Sequence, residues 1–170
     1  GCPYSCTYCC NSYLRNLIKG RAFRLRPAKQ VIEEILYIKE KYPLEYVMFR
    51  SDSFSADKKW CMELLKEYKE KVKLPFYAQV VMRELTPPLI ELFAEAGMKN
   101  IIFGIESGSE RIRQEILNRP AISNSQILEL SEIIKRHGIK ITAQEMFAIP
   151  TETLEEAFMT VELNVKIRSR

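Results

Sequence analysis

The chain has 170 residues, 46% of them hydrophobic and 28% charged, enough for one domain with its own core and too apolar to be disordered. Its 26 basic and 22 acidic residues leave a net charge of +4, too even a balance to argue for a nucleic-acid or membrane surface. No apolar run is long enough to span a bilayer, and the opening Gly1-Cys2-Pro3 lacks the basic-then-apolar order of a signal peptide.

Residues 1–26 read as a loop. The first helix is predicted over Pro27–Tyr42, with Pro27 in its first turn and Val31, Ile35 and Ile38 at helical spacing. A strand follows over Glu45–Phe49. The next helix runs from Asp57, its N-cap, to Lys71, with Trp60, Leu64 and Tyr68 on one face. Pro75–Val81 reads as the second strand. Thr86-Pro87 opens a third helix that Gly97 closes. Asn100–Ile105 is the third strand, ending in Gly104-Ile105-Glu106-Ser107-Gly108. A short helix over Glu110–Leu117 and a longer one over Ser125–His137 come next. The fourth strand lies within Ile139–Ile149, and a last helix covers Glu152–Ile167.

The β-rich runs start about every 25 to 40 residues, a spacing typical of βα units. Parallel strands joined by helical crossovers are the natural solution. Four strands are too few to close a barrel. The expected fold is therefore α/β, an open, partial parallel β/α barrel cut at both ends, with one domain over residues 1–170. Its chemistry is expected at the C-terminal ends of the strands.

Four of the five cysteines fall in the first ten residues. A secreted disulfide framework would spread them along the chain, so the crowding points to metal and a reducing, cytoplasmic compartment. Cys2, Cys6 and Cys9 form a C-x3-C-x2-C motif. Three thiolates on a short loop can each bind one iron of a [4Fe–4S] cubane and leave the fourth iron open, where ferredoxins commonly supply four cysteines. Three thiols could also bind zinc, though a structural zinc site usually has four ligands, or be buried or disulfide-bonded. Cys10 reads as a thiol beside the cluster and Cys61 as a core residue.

With Tyr8 before the third cysteine, the motif resembles the signature of the radical S-adenosylmethionine (radical SAM) superfamily. The resemblance runs from Gly1 to about Thr160 and implies a [4Fe–4S] cluster on Cys2, Cys6 and Cys9. It implies SAM on the open iron, cleaved by one electron to a 5′-deoxyadenosyl radical that abstracts hydrogen from substrate. It implies SAM-binding roles for Asp52 (ammonium), Glu106 and Ser107 (ribose), Arg119 (carboxylate) and, around the adenine, Ile149 and Thr151. Tyr8 would pack beside the cluster. The turn Ala148-Ile149-Pro150-Thr151-Glu152-Thr153 departs from the family pattern, because Ala148 and Thr151 replace two expected glycines. Apart from any ligand, Thr151 also reads as a helix N-cap.

Within the superfamily the motifs look most like members with an upstream cobalamin-binding domain, several of them methyltransferases. That domain's usual Asp-x-His-x-x-Gly loop is absent from this chain, whose one histidine is His137. The implied partners are a small-molecule substrate and a one-electron reductant such as a flavodoxin or ferredoxin, with no membrane. Alternative readings are an iron–sulfur or zinc module that does not cleave SAM, a degenerate scaffold, and a tRNA-modifying enzyme. The tRNA reading rests on the basic stretch Arg15, Lys19, Arg21, Arg24 and Arg26, otherwise a solvated or cluster-shielding loop. Gln79, Gln144 and Glu145, polar residues within strands, are candidates to point into the barrel.

Overall fold

The computed structural model describes residues 1–21 and 23–168; Ala22 of the cysteine loop and the last two positions of the expected domain lie outside the described residues. Four strands, β1 (Val47–Phe49), β2 (Phe76–Val80), β3 (Met98–Glu106) and β4 (Lys140–Glu145), form one sheet in chain order. Every neighbouring pair is parallel, so each connection crosses over through helix. The expected open α/β half-barrel is what the chain forms.

The helices are α2 (Ala28–Lys41), α3 (Lys58–Glu67), α4 (Pro87–Glu95), α5 (Asn124–Arg136) and α6 (Leu154–Ile167), preceded by a short α1 (Cys10–Leu17). Their starts follow from capping chemistry. Asp57 accepts from the Trp60 N–H at 2.9 Å. Ser123 with Gln126, and Thr153 with Glu156, form reciprocal capping boxes. The α3 helix continues as a wider π turn over Tyr68–Val72, and a second π turn spans Ile112–Ile116. None of the helices is long and apolar enough to cross a membrane among the described residues.

Four details differ from the sequence-based expectation. Residues 10–17 are helical rather than loop; Cys10, Tyr13, Leu14 and Leu17 fall at helical spacing, yet none of these residues is buried. On α2 the buried residues are Ala28, Ile32 and Ile35, while Val31 is half-buried and Ile38 is exposed. The fourth strand stops at Glu145, and the Met146 N–H, donating to the Glu106 carbonyl at 2.9 Å, makes the last rung of its ladder with β3. The last helix is capped by Thr153, not Thr151, whose backbone lies at φ +67° and cannot start a helix.

One face of the sheet carries the core. Phe76, Ala78, Val80, Ile101, Phe103, Ile105 and Ile141 are buried against the helices, and Phe49, Phe54, Tyr68 and Phe76 stack edge-on and tilted beneath them. This core draws its buried residues from Ala28 onward and none from residues 1–27. The other face carries half-exposed Tyr77, Gln79, Asn100, Ile102, Gly104 and Thr142, with Asn100 donating to Thr142 Oγ1 at 3.0 Å. That partly polar inner face leads upward to the C-terminal ends of the strands.

Candidate active site

The cysteine loop is docked against the C-terminal ends of the strands by backbone chemistry. The Thr7 N–H donates to the Leu117 carbonyl at 3.0 Å, and Thr7 Oγ1 donates to the Ile116 carbonyl at 2.7 Å. Asn118 Nδ2 donates to the Ser5 carbonyl at 2.9 Å. From the α1 side, Ser12 Oγ donates to the Cys6 carbonyl at 2.6 Å.

Held this way, Cys2, Cys6 and Cys9 line one cleft of about 180 Å³ with Tyr4, Tyr8, Asp52, Gln79, Val81, Gly104, Glu106 and Arg119. The cleft therefore joins the ends of β1, β2 and β3. All three cysteines are free thiols, which removes the disulfide reading. Burial pushes the Cys2 and Cys6 thiols above their ordinary range, and for Cys6 the neighbouring Arg119 guanidinium works against it. A metal binding there would have to displace the thiol protons.

Among the described residues no three His, Cys, Asp or Glu side chains converge on a point where one ion would sit. The three thiols instead ring the cleft. That donor set suits a cubane, which takes one thiolate at each of three separate iron corners.

Arg119 is at the centre of the polar wall. Its Nη2 donates to the Gly104 carbonyl at 2.7 Å, its Nη1 donates to the Tyr8 hydroxyl at 2.8 Å, and Nη1 lies 3.3 Å from Glu106 Oε1. The Tyr8 hydroxyl donates in turn to Glu106 Oε1 at 2.8 Å. Tyr8, Glu106 and Arg119 thus form a closed triangle beside Cys6. Glu106 reaches it from a strained backbone, φ +70°, at a bulge where β3 and β4 slip register. Asp52 faces the cleft half-exposed, its Oδ2 lying 3.3 Å from the Gly1 nitrogen.

Of the residues singled out in the sequence, the cysteines, Tyr8, Asp52, Glu106 and Arg119 come together; three others do not. Ser107 is fully buried, its Oγ accepting from the Ser109 N–H at 3.1 Å and lying 3.5 Å from Thr160 Oγ1, so it faces α6. Ile149 is buried in a small cluster with Ile112 and Leu117. Thr151 is exposed, and its carbonyl accepts from Arg111 Nη2 at 3.1 Å.

Gly104, within β3, and Gly108, two residues past its end, make room for protein atoms. A Cβ on Gly104 would meet Glu106 Oε1 at 2.0 Å, and one on Gly108 would meet the Met159 carbonyl oxygen at 2.2 Å. Gly104 makes room for the Glu106 carboxylate, and Gly108 for the α6 backbone. Of the polar strand residues, Gln79 lines the cleft and Gln144 is exposed, while Glu145 turns to α6 and accepts from Asn164 Nδ2 at 2.6 Å. Burial, with the nearby Glu106 charge, raises the Glu145 carboxyl above its usual range. Cys61 is fully buried and its thiol is pushed up to about 12 by burial, as a core cysteine should be. Cys10 is exposed at the start of α1.

The basic stretch is not one solvated run. Arg26 pairs with Glu34, and Arg15 folds back onto the cysteine loop, donating to the Cys2 carbonyl at 2.7 Å. No sequence signal separated Arg15 from its neighbours. A second missed group is Glu84, a buried carboxylate that accepts from Ser53 Oγ at 2.6 Å and from Ser55, pinning the segment that carries Asp52.

Comparison with known proteins gives a consistent family. An uncharacterized methyltransferase of Pyrococcus horikoshii is 26% identical over 98% of this chain and 35% of its own length. The cytidylyl-2-hydroxyethylphosphonate methyltransferase of Streptomyces wedmorensis is 28% identical over 71% of this chain and 22% of its own length. The chain thus spans about a third or less of these curated relatives. Among solved structures, the radical S-adenosylmethionine methyltransferase TsrM of Kitasatospora setae, with cobalamin and a [4Fe–4S] cluster bound, superposes with a TM-score of 0.85 at 16% identity, covering 99% of this chain and 33% of that one. The model of the radical SAM superfamily matches residues 1–163. With that match over nearly all of its length, and with its three thiols at the strand ends of an open parallel half-barrel, the chain belongs to the radical SAM superfamily.

Proposed function

We propose that residues 1–170 are the core of a radical SAM enzyme, with a [4Fe–4S] cluster on Cys2, Cys6 and Cys9 and SAM bound in the same cleft. The observation that carries the reading is the meeting of three free thiols with the Tyr8–Glu106–Arg119 triangle in one cleft. A cluster of this kind, when bound with SAM, supplies one-electron cleavage to methionine and a hydrogen-abstracting 5′-deoxyadenosyl radical. The chain's own part is to hold and orient. Arg119 offers a cation to the methionine carboxylate, and Asp52 an acceptor to the ammonium. Glu106 accepts from the ribose hydroxyls, and since Tyr8 and Arg119 already fix its carboxylate, little ordering remains for ligand entry. Val80 and Val81 close the apolar side of the cleft. Ser107, Ile149 and Thr151 take no part in this arrangement.

The methyltransferase relatives and the cobalamin-bound structural neighbour support methyl transfer with cobalamin as the finer reading, with the cobalamin held outside residues 1–170. The substrate is then a small molecule, and a flavodoxin or ferredoxin supplies the electron. The test is anaerobic reconstitution with iron and sulfide, then dithionite and SAM, with chromatography for 5′-deoxyadenosine. Product from the wild type and none from Cys2→Ala, Cys6→Ala, Cys9→Ala is the expected result. A well-formed cluster that neither binds nor cleaves SAM, or zinc in place of iron, would overturn the reading in favour of a binding module.

A further inference from the structure

The first 32 residues carry six basic side chains and no acidic one. Arg26 and Lys29 reach forward to Glu34 and Glu33, whereas Arg15 spends its donors on neutral groups. It sits in the last turn of α1, six residues beyond Cys9. Its Nη2 donates to the Cys2 carbonyl at 2.7 Å and also to the Tyr4 carbonyl, and its Nη1 donates to Ser5 Oγ at 2.9 Å. One planar fork thereby spans residues 2 to 5, the first half of the thiol loop.

The second half of the loop is held by other means. The Cys9 N–H and Ser12 Oγ both donate to the Cys6 carbonyl, and Thr7 is fixed on Ile116 and Leu117. Asn118 Nδ2 holds the Ser5 carbonyl from the barrel side, so the loop divides into a part anchored on the barrel from Ser5 onward, carrying Cys6 and Cys9, and a part before it whose carbonyls Arg15 grips, carrying Cys2. A carbonyl held at a fixed point fixes its peptide plane, and with it the direction in which that residue presents its Cβ. We propose that Arg15 is a positioning residue for the cluster: by clamping the Cys2 and Tyr4 carbonyls it sets where the first thiol stands relative to the other two. This rests on the reading that Cys2, Cys6 and Cys9 hold a cluster.

The residue type matters. A guanidinium offers several donors in one rigid plane, whereas a lysine ammonium is a point donor on a flexible stem. The fold itself asks little of Arg15. Helix α1 buries none of its residues, and the core begins at Ala28. Loss of the fork should thus be felt at the cluster and not in the folding of the chain. Outer groups that orient metal ligands are commonly worth about 10- to 100-fold in metal affinity or activity.

The experiment compares wild type, Arg15→Gln and Arg15→Lys, each reconstituted anaerobically with iron and sulfide. Three quantities are read: iron retained during an EDTA challenge, the electron paramagnetic resonance line shape of the dithionite-reduced cluster, and thermal unfolding of the metal-free protein. Arg15→Gln is expected to lose iron about ten-fold faster or more and to broaden the resonance, with metal-free unfolding unchanged. Arg15→Lys should recover part of the retention, since it can make one of the bonds but not the fork. Equal retention and an identical spectrum in Arg15→Gln overturn the assignment. So does a metal-free melting transition that falls in step with iron loss, which would make Arg15 a support of the fold alone. A wild-type chain that takes up no cluster overturns the reading of the site, and this assignment with it.

Discussion

Gly104 and Gly108 lie four residues apart at the end of β3, and the same substitution at each should fail in opposite ways. At Gly104 a new Cβ would meet Glu106 Oε1 at 2.0 Å and Cδ at 2.8 Å, the tip of a flexible side chain. Glu106 can swing away at a rotamer cost of about 1 kcal/mol, partly offset by the smaller unfolded-state entropy of alanine, about 0.4–1 kcal/mol. At Gly108 the Cβ would meet the Met159 carbonyl oxygen at 2.2 Å and the Thr160 nitrogen at 2.5 Å, both backbone of α6. The helix must move, and the bond from the Gly108 N–H to Thr160 Oγ1, 2.7 Å long, moves with it. Overpacking of this kind costs about 3 kcal/mol, which in a domain of this size lowers the melting temperature by about 6–12 °C. Gly104→Ala should melt within about 4 °C of wild type. Its damage falls on the cleft, where the displaced Glu106 leaves Tyr8 and Arg119. A lost charged hydrogen bond of about 1.5–3 kcal/mol weakens SAM binding by about 10- to 100-fold. Thermal melts and equilibrium dialysis of SAM on the reconstituted protein measure both. Equal destabilisation by the two substitutions, or unchanged SAM affinity in Gly104→Ala, refutes the reasoning.

Ala148 and Thr151 adopt φ +59° and +67° with exposed side chains, so Ala148→Gly and Thr151→Gly should each raise stability by about 0.5–1 kcal/mol in urea unfolding, the β-branched threonine gaining more. Arg113 is 3% exposed and donates to the Ser107 carbonyl at 2.6 Å, the Ile122 carbonyl at 3.1 Å and Asn124 Oδ1 at 2.7 Å. Arg113→Ala leaves these acceptors unmet and should cost about 3 kcal/mol or more in the same assay, while Arg113→Lys recovers only part. Glu156 is held from its ordinary 4.5 down to about 2 by Arg111, with help from the Thr153 N–H and Ser109 Oγ. A depressed carboxylate stabilises fully above its unfolded value and loses that contribution as pH falls from about 4.5 through 2, so Glu156→Gln should be less stable than wild type near neutrality, flatten the acid limb of the stability curve over that window and match wild type below it.

Local chemistry made most of the fold legible. Asp57 and the Thr86-Pro87 and Gly97 pair mark their helices because a cap or a fixed φ acts within four residues. The C-x3-C-x2-C spacing is local for the same reason. What stayed hidden depends on partners distant in sequence. The helix α1 has no side-chain cap, its Tyr13, Leu14 and Leu17 stay exposed, and its Arg15 and Ser12 bonds to the loop are visible only in three dimensions. Thr151 looks like a cap in sequence, and only its positive φ disqualifies it. Ser107 lies next to Glu106, but at the bulge that ends β3, where Glu106 takes φ +70°, one turns to α6 and the other to the cleft.

The separation between the core and the thiol loop bears on how a damaged cofactor is dealt with. The packed interior is complete without residues 1–27, and the loop's tethers to Ile116, Leu117 and Asn118 are closures across more than a hundred residues, made on a surface the rest of the chain has already built. In a zinc finger the metal supplies the folding free energy, so chelation denatures it. Here the packed core lies between the sheet and the helices behind it, so a chain without its cluster should keep its fold and be able to take one up again. Metal-free and loaded protein should then unfold through the same main transition.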